Sequence, residues 1–244
     1  MNAVTQLLQS HRSIRAFTDK PVPQELVEDL IRCGQGAATS SFIQTTTVIQ
    51  VTDPEKRAKL AELGNNQKYI NEAPVFFVFC ADMNRHKQAC EMHDAPMLSG
   101  FTEQFLTASV DAALFAQNLV VAAESQDLGI CYIGALRNNP EGVSEVLGLP
   151  DLVYPVFGLC VGYPDQNPEV KPRLPVSVVL KQNSYEPDDV ATVKDYDEHV
   201  RHYYATRSGN PKSQSWSEQI SGMLKKEARP HMLPFLQKRG FLLK

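Results

Sequence analysis

From about Thr102 to Gln126 the chain carries Phe105, Leu106, Val110, Ala113, Leu114, Leu119, Val120 and Val121, with small residues filling most of the gaps. A helix over this stretch is apolar nearly all the way round. Water cannot be left against such a surface, so the helix must lie in the core or across a subunit interface. The rest of the chain therefore has to supply layers that cover it. With 244 residues, of which 43% are hydrophobic, one large domain spanning 1–244 is the preferred reading, although the length also accommodates two small ones.

The covering layers are legible as alternating elements. Val4, Leu7 and Leu8 fit a short helix that ends at Ser10. Leu26, Val27, Leu30 and Ile31 stripe a second, with Pro23 in its first turn and Gly34 and Gly36 as its stop. The β-branched run Thr45–Thr52 reads as a strand, and Asp53-Pro54 opens a helix through Leu60 and Leu63 to Gly64. Val75–Cys80 is continuously apolar, as a central strand buried on both faces would be. Gly129 reads as the stop of the long helix, and Ile130–Ile133 as a strand. Asn139-Pro140 caps a helix with Val143, Val146 and Leu147 that Gly148 stops, and Val156–Val161 is the next strand. The tail predicts helices at Asp195–Thr206, Trp216–Lys226 and His231–Arg239, joined by the polar connection Arg207–Ser215. Strands and helices at uneven spacing predict an α+β layered domain in preference to a doubly wound sheet.

Composition excludes several functions. Lys and Arg number 24 against 28 Asp and Glu, a formal net charge of -4 with no block of like charges, so no field attracts nucleic acid. The N-terminus lacks the basic start and apolar run of a signal peptide, and Val75–Ala81 is too short to span a bilayer; the reading is a cytoplasmic protein with no membrane segment. Cys33, Cys80, Cys90, Cys131 and Cys160 are odd in number and never spaced Cys-x-x-Cys, which reads as reduced core residues. No Gly-x-Gly-x-x-Gly, Walker, His-Glu-x-x-His or Gly-x-Ser-x-Gly motif occurs. His86 and His93, near Cys90 and Asp94, are too loosely spaced for a zinc site, and no metal is expected.

Four segments could carry chemistry. In an extended His11-Arg12-Ser13-Ile14-Arg15, His11, Ser13 and Arg15 face one way and Arg12 and Ile14 the other. Two guanidiniums, an imidazole, a hydroxyl and backbone N–H groups make a receptor for phosphate and carbonyl oxygens, and equally a solvated turn between two helices. Lys171-Pro-Arg173, stiffened by Pro172 and Pro175, is a second anion grip or an ordinary soluble linker. Tyr132-Ile133-Gly134-Ala135-Leu136-Arg137 puts small residues at a strand end, where a flat ligand could approach or a plain turn could form. Thr39-Ser40-Ser41 reads as a polar loop.

Taken together, His11-Arg12-Ser13-Ile14-Arg15-x-Phe17, Tyr132-Ile133-Gly134-x-Leu136-Arg137-Asn138, Leu159-Cys160-x-Gly162 and Lys171-Pro-Arg-Leu-Pro175 resemble the nitroreductase family, in its NADPH-preferring branch of oxygen-insensitive nitroreductases and flavin reductases. Tyr203-Tyr204-x-x-Arg207, Trp216-Ser217 and Glu227-x-Arg229-Pro230 extend the resemblance through the tail. It implies a central sheet flanked by helices in an intertwined homodimer, with the helical part from about 188 to 244 wrapping the partner. It implies two FMN sites at the subunit interface, NADPH as co-substrate, and two-electron ping-pong hydride transfer to nitroaromatics, quinones or free flavin. By motif, His11, Arg12, Ser13, Lys171 and Arg173 would hold the FMN phosphate and ribityl end. Arg15 and Gln67 would lie near the ring, with Arg15 and Lys171 balancing flavin charge; no side chain serves as nucleophile. Tyr132, Ile133 and Gly134 would present backbone to the ring, Ser40, Ser41 and Phe42 would come from the partner chain, and Arg207 with Lys212 would grip the extra phosphate of NADPH. Ala135 stands where the family usually has a second glycine, and Thr39 where it commonly has serine.

Overall fold

The computed structural model describes residues 2–207, 209 and 212–244; Ser208, Asn210 and Pro211, in the expected Arg207–Ser215 connection, lie outside the described residues. The chain divides into two compact units: a larger one of Met1–Gln9, Ser13–Gln166 and Arg229–Lys244, and a smaller one of Ser10–Arg12 and Asn167–Ala228.

The larger unit holds α1 (Ala3–Gln9), α2 (Gln24–Gln35), β1 (Thr46–Gln50), α3 (Pro54–Leu63), α4 (Tyr69–Glu72), β2 (Val75–Asp82), α5 (Asn84–Glu91) and α6 (Thr102–Glu124). It continues with β3 (Gly129–Ile133), α7 (Pro140–Leu147) and β4 (Val153–Gly162). Its sheet has the order β1-β2-β4-β3 with every neighbour antiparallel, which fits the α+β expectation. The apolar run does form a central strand, and all of β2 is buried. Alternation splits it between two layers. Phe76, Val78 and Cys80 pack with Leu60, Ile70 and Val143 of α3, α4 and α7. Val75, Phe77 and Phe79 pack with Val27 and Leu30 of α2 and Ala116, Leu119 and Val120 of α6. Phe76, Phe77 and Phe79 are among the fully buried side chains, and such burial stabilises by about 1.5–3 kcal/mol each.

Helix α6 puts one face into the core and leaves another uncovered. Ala108, Ala112, Ala116, Leu119, Val120 and Ala123 form its buried stripe, while Leu106, Val110 and Leu114, spaced four apart, remain 53%, 47% and 44% exposed. By length and composition alone it could cross a bilayer, with 33% of its most apolar window buried.

The structure corrects three punctuation marks. Gly34 does not stop α2 but lies inside it, where an added Cβ would fall 2.2 Å from the Phe115 ring: its role is close packing against α6. Pro23 precedes α2 instead of entering its first turn. Gly129 does not end α6, which closes earlier as Asp127 turns to φ 58 and Leu128 N–H donates to the Ala123 carbonyl at 3.0 Å. The two other boundaries follow their signals: Asp53 accepts from Glu55 and Lys56 N–H at the start of α3, and Asn139 caps α7, closed by Gly148 at φ 65. Among the cysteines, Cys80, Cys131 and Cys160 are core residues and Cys33 is not, its side chain lying on an exposed face; all five are free thiols.

The smaller unit contains α8 (Val176–Val179), α9 (Val190–Thr206) and α10 (Trp216–Met223); Tyr196, Val200 and Tyr204 of α9 form its core, with Leu174, Tyr203 and Trp216 packed against them. The last helix, α11 (Met232–Lys238), belongs to the larger unit and buries Phe235 and Leu236 with Tyr154 and Phe241.

Candidate functional site

In the larger unit, residues 13–18 form a strap along the end of the sheet. Ser13 bridges Ile130 in parallel, Ile14 N–H donates to the Ile130 carbonyl at 2.8 Å, and Thr18 N–H donates to Tyr163 at 2.9 Å. Ile14 turns into the core and Arg15 stays exposed, the alternation expected of an extended segment. The strap lies so close to β3 that a Cβ on Gly129 would meet Ile14 Cγ1 at 2.5 Å. Here is the function of that glycine: it admits the strap.

Arg15 reaches Tyr69, whose hydroxyl donates to Gln67 Oε1 at 2.7 Å. Arg15 and Gln67 are thus brought together through Tyr69, a residue the sequence did not single out; a lone tyrosine in a four-residue helix carries no pattern of its own. Burial pushes the Tyr69 hydroxyl up, Cys131 adds to this, and Arg15 offsets part of it. Burial likewise raises the Cys131 and Cys160 thiols, so neither is suited to nucleophilic work.

Tyr132 and Ile133 end β3, and Gly134 opens a 3₁₀ turn through Asn138. Arg137 Nη1 donates to the Val156 carbonyl at 2.6 Å, Arg229 Nε donates to Asn138 Oδ1 at 2.9 Å, and a ring nitrogen of His231 lies 2.9 Å from the Arg137 carbonyl. The turn is fastened on both sides. Tyr132 packs edge-on against Phe157, and its burial pushes the hydroxyl up to about 12.

Ser40, Ser41 and Phe42 form a second 3₁₀ turn, with Ser41 and Phe42 at φ 47 and 58. Its anchor is Asp111 on α6, 4% exposed, which accepts from Thr39 Oγ1, from Ser40 N–H at 3.2 Å, and from Thr45 N–H and Oγ1 at 3.3 and 3.2 Å. Phe42 is left 79% exposed. The polar loop is therefore a rigid projection tied to α6.

In the smaller unit, Arg12 Nη1 donates to the Pro168 carbonyl at 3.4 Å and the Tyr196 hydroxyl donates to the Pro172 carbonyl at 3.0 Å. The second bond fixes Lys171-Pro-Arg173, both of whose cations are exposed. Around the Tyr204 ring, Arg207 Cζ stands 4.5 Å from the centroid, Lys171 Nζ 5.5 Å and Lys212 Nζ 5.7 Å. Burial acts to raise the Tyr204 hydroxyl, but contact with Lys171 and the charges of Lys171 and Lys212 outweigh it and leave it lowered. This is the chemistry of an anion receptor. Among the described residues no group of three His, Cys, Asp or Glu is disposed to hold a metal.

Residues 8–163 match the nitroreductase family model, and residues 171–244 match the nitroreductase family, C-terminal domain. The chain belongs to the nitroreductase family. This nitroreductase is 45% identical over 241 residues to the oxygen-insensitive NADPH nitroreductase of Salmonella typhimurium, covering 99% of each chain. It is 43% identical over 240 residues to the NADPH-flavin oxidoreductase of Vibrio harveyi, covering 98% of each. It superposes on the solved structure of the NADPH:FMN oxidoreductase from Vibrio harveyi complexed with NAD+ with a TM-score of 0.92, at 40% identity over 100% of both chains.

At the two points where the nitroreductase departs from the usual family pattern, its structure is informative. Ala135 packs against the core cluster of α3 and α7, so its methyl group is accommodated by the interior. Thr39 offers Asp111 the same hydroxyl that serine would.

Proposed function

We propose that this nitroreductase binds FMN and uses NADPH to reduce nitroaromatics, quinones or free flavin. The carrying observation is the set of three cations gathered on Tyr204, which suits a phosphate-rich dinucleotide far better than a neutral substrate. The donor set also fits FMN. Arg12, Lys171 and Arg173, with His11 and Ser13, would take the phosphate and ribityl chain; Arg15 and Gln67, joined through Tyr69, would flank the ring. The fastened backbone of Tyr132, Ile133 and Gly134 would lie along the ring, and Arg207 with Lys212 would take the extra phosphate of NADPH.

When bound, FMN supplies the two-electron carrier between NADPH and the acceptor in a ping-pong cycle. The protein's own contribution is position and charge. Arg15 and Lys171 would offer positive charge where negative charge builds up on the reduced flavin, and no nucleophile is required.

A homodimer is part of the proposal. The exposed stripe Leu106, Val110 and Leu114 and the projecting Phe42 are what a partner chain would cover, with Ser40, Ser41 and Phe42 entering its site. We take 1–244 as one functional domain whose part from about 188 to 244 wraps that partner, working in the cytoplasm, where its five free thiols would stay reduced.

Stopped-flow mixing of the purified holoprotein with NADPH, without acceptor, tests this: the yellow flavin absorbance should bleach, and a colourless or unbleached protein overturns the reading. Arg207→Ala should raise the KM for NADPH roughly tenfold or more, as expected for loss of a charge-assisted contact, and leave the acceptor KM unchanged.

A further inference from the structure

Tyr204 is given no task of its own in the reading above, yet three of that reading's six lysine and arginine side chains gather on it. It is 3% exposed on α9 and sits in the small core with Tyr196 and Val200. Its side chain presents two chemically different ends. The ring carries all three cations, the Arg207 guanidinium closest at 4.5 Å from its centroid, then Lys171 at 5.5 Å and Lys212 at 5.7 Å. The hydroxyl donates to Gln219 Oε1 at 3.3 Å and is in polar contact with Lys171. The main chain adds a third tie, since Lys212 N–H donates to the Tyr204 carbonyl at 3.4 Å.

Three like charges around one ring repel one another, and a ring of this kind recovers only part of that through its negative face. Such a grouping is maintained where ordering the cations beforehand reduces what an incoming anion must spend in entropy. All three cations meet on the Tyr204 ring, and the hydroxyl gives Lys171 a further contact that the other two do not share.

We propose that Tyr204 is a positioning residue for both phosphate-bearing ligands: its ring sets Arg207 and Lys212 for the NADPH phosphate, and its hydroxyl sets Lys171 for FMN. The inference rests on the assignment of those cations in the proposed function. It differs from a purely structural role in one respect, namely that the two ends of one side chain control two different ligands.

Tyr204→Phe and Tyr204→Leu separate them. Tyr204→Phe keeps the ring and removes the hydroxyl, so the FMN dissociation constant should rise on the order of threefold to tenfold, as for loss of one polar contact to a charged group. The ratio of kcat/KM for NADPH over NADH should stay within about twofold of the parent, because the cation–ring contacts remain. Tyr204→Leu removes both ends, and the NADPH:NADH ratio should fall on the order of threefold to tenfold as well, for a cation–ring contact of the partly exposed kind. In an Arg207→Ala background, Tyr204→Leu should lower that ratio much less, since its route to the phosphate is already gone.

Should Tyr204→Leu not fold, as judged by its melting curve, Tyr204→Phe alone decides. Unchanged FMN affinity, or loss of NADPH preference equal to the loss of FMN affinity, overturns the proposal. So does a folded Tyr204→Leu with its NADPH preference intact. If Arg207→Ala itself leaves the NADPH:NADH ratio unchanged, the failure lies instead in the assignment of Arg207.

Discussion

Gly129→Ala is a one-methyl change whose effects on stability and flavin retention can both be worked out from the strap. The new Cβ would stand 2.5 Å from Ile14 Cγ1, 2.8 Å from Ile14 Cβ and 3.0 Å from Ile14 Cγ2. Ordinary carbon contacts are about 3.5–4.0 Å, so something must move by about 1 Å. Gly129 pairs with Gly162 in the β3–β4 ladder, and four further pairs follow it; the strap is fixed to β3 by the Ser13–Ile130 bridge and the adjacent Ile14 bond. The strap is the weaker member and should yield. Overpacking of this kind costs about 1–3 kcal/mol, and a lost Ile14–Ile130 hydrogen bond adds about 0.5–1.5 kcal/mol.

The expected outcome is a urea midpoint lowered by the equivalent of about 2–4 kcal/mol with an unchanged m-value. Because Ser13 and Arg15 ride on the strap, bound flavin should also be lost more readily on dialysis. Ile14→Ala in the same chain removes the two γ carbons and leaves the contact at 2.8 Å, so the double variant should recover part of the loss. Wild-type flavin retention in Gly129→Ala, or a double variant whose cost is the sum of the two singles, would refute the reasoning.

Other perturbations address the remaining parts of the site. Asp111→Ala leaves the buried Thr45 N–H and hydroxyl without their acceptor and frees the loop bearing Phe42. It should cost about 2–4 kcal/mol, read as a lower melting temperature, with Asp111→Asn milder. Tyr69→Phe removes the hydroxyl between Arg15 and Gln67; we expect the melting temperature to hold while kcat drops several-fold at unchanged KM for NADPH. Tyr132 has its hydroxyl raised to about 12, so the folded state favours the neutral form. That contribution is fully present below the ordinary tyrosine value near 10 and is lost as pH climbs from there towards 12. Alkaline melting curves of Tyr132→Phe should accordingly fall less steeply over that interval than those of the parent.

The sequence was most readable where burial and period dominate. The eight buried residues of β2 and the stripe of α6 announce themselves because a central strand and a covered helix leave few other options for so many apolar side chains. The caps at Asp53 and Asn139 were equally plain, being local hydrogen bonds. Glycine was harder. Gly34 and Gly129 look like stop signals, and both instead make room for a side chain distant in sequence, Phe115 and Ile14, which no local pattern reveals. The same limit hid Tyr69, and it hid the cations that gather on Tyr204, a residue legible only as part of a tail motif. Each earns its importance from neighbours that the fold supplies, whereas His11 to Arg15 and Lys171 to Arg173 declare their charge in sequence.

The strap that lies on β3 also has a bearing on how the molecule comes to be made. Residues 13–18 leave the ribosome more than a hundred residues ahead of Ile130 and Tyr163, the groups to which they are bonded. Until β3 and β4 follow, Ile14 has no pocket and Arg15 no fixed direction. The segment that emerges early is thus among the last to be seated, and the N-terminal half cannot mature as an independent folding unit during synthesis. A nascent chain stalled before β4 should remain open to proteolysis around residues 13–18, and synthesis of β4 and the segment after it should close that site.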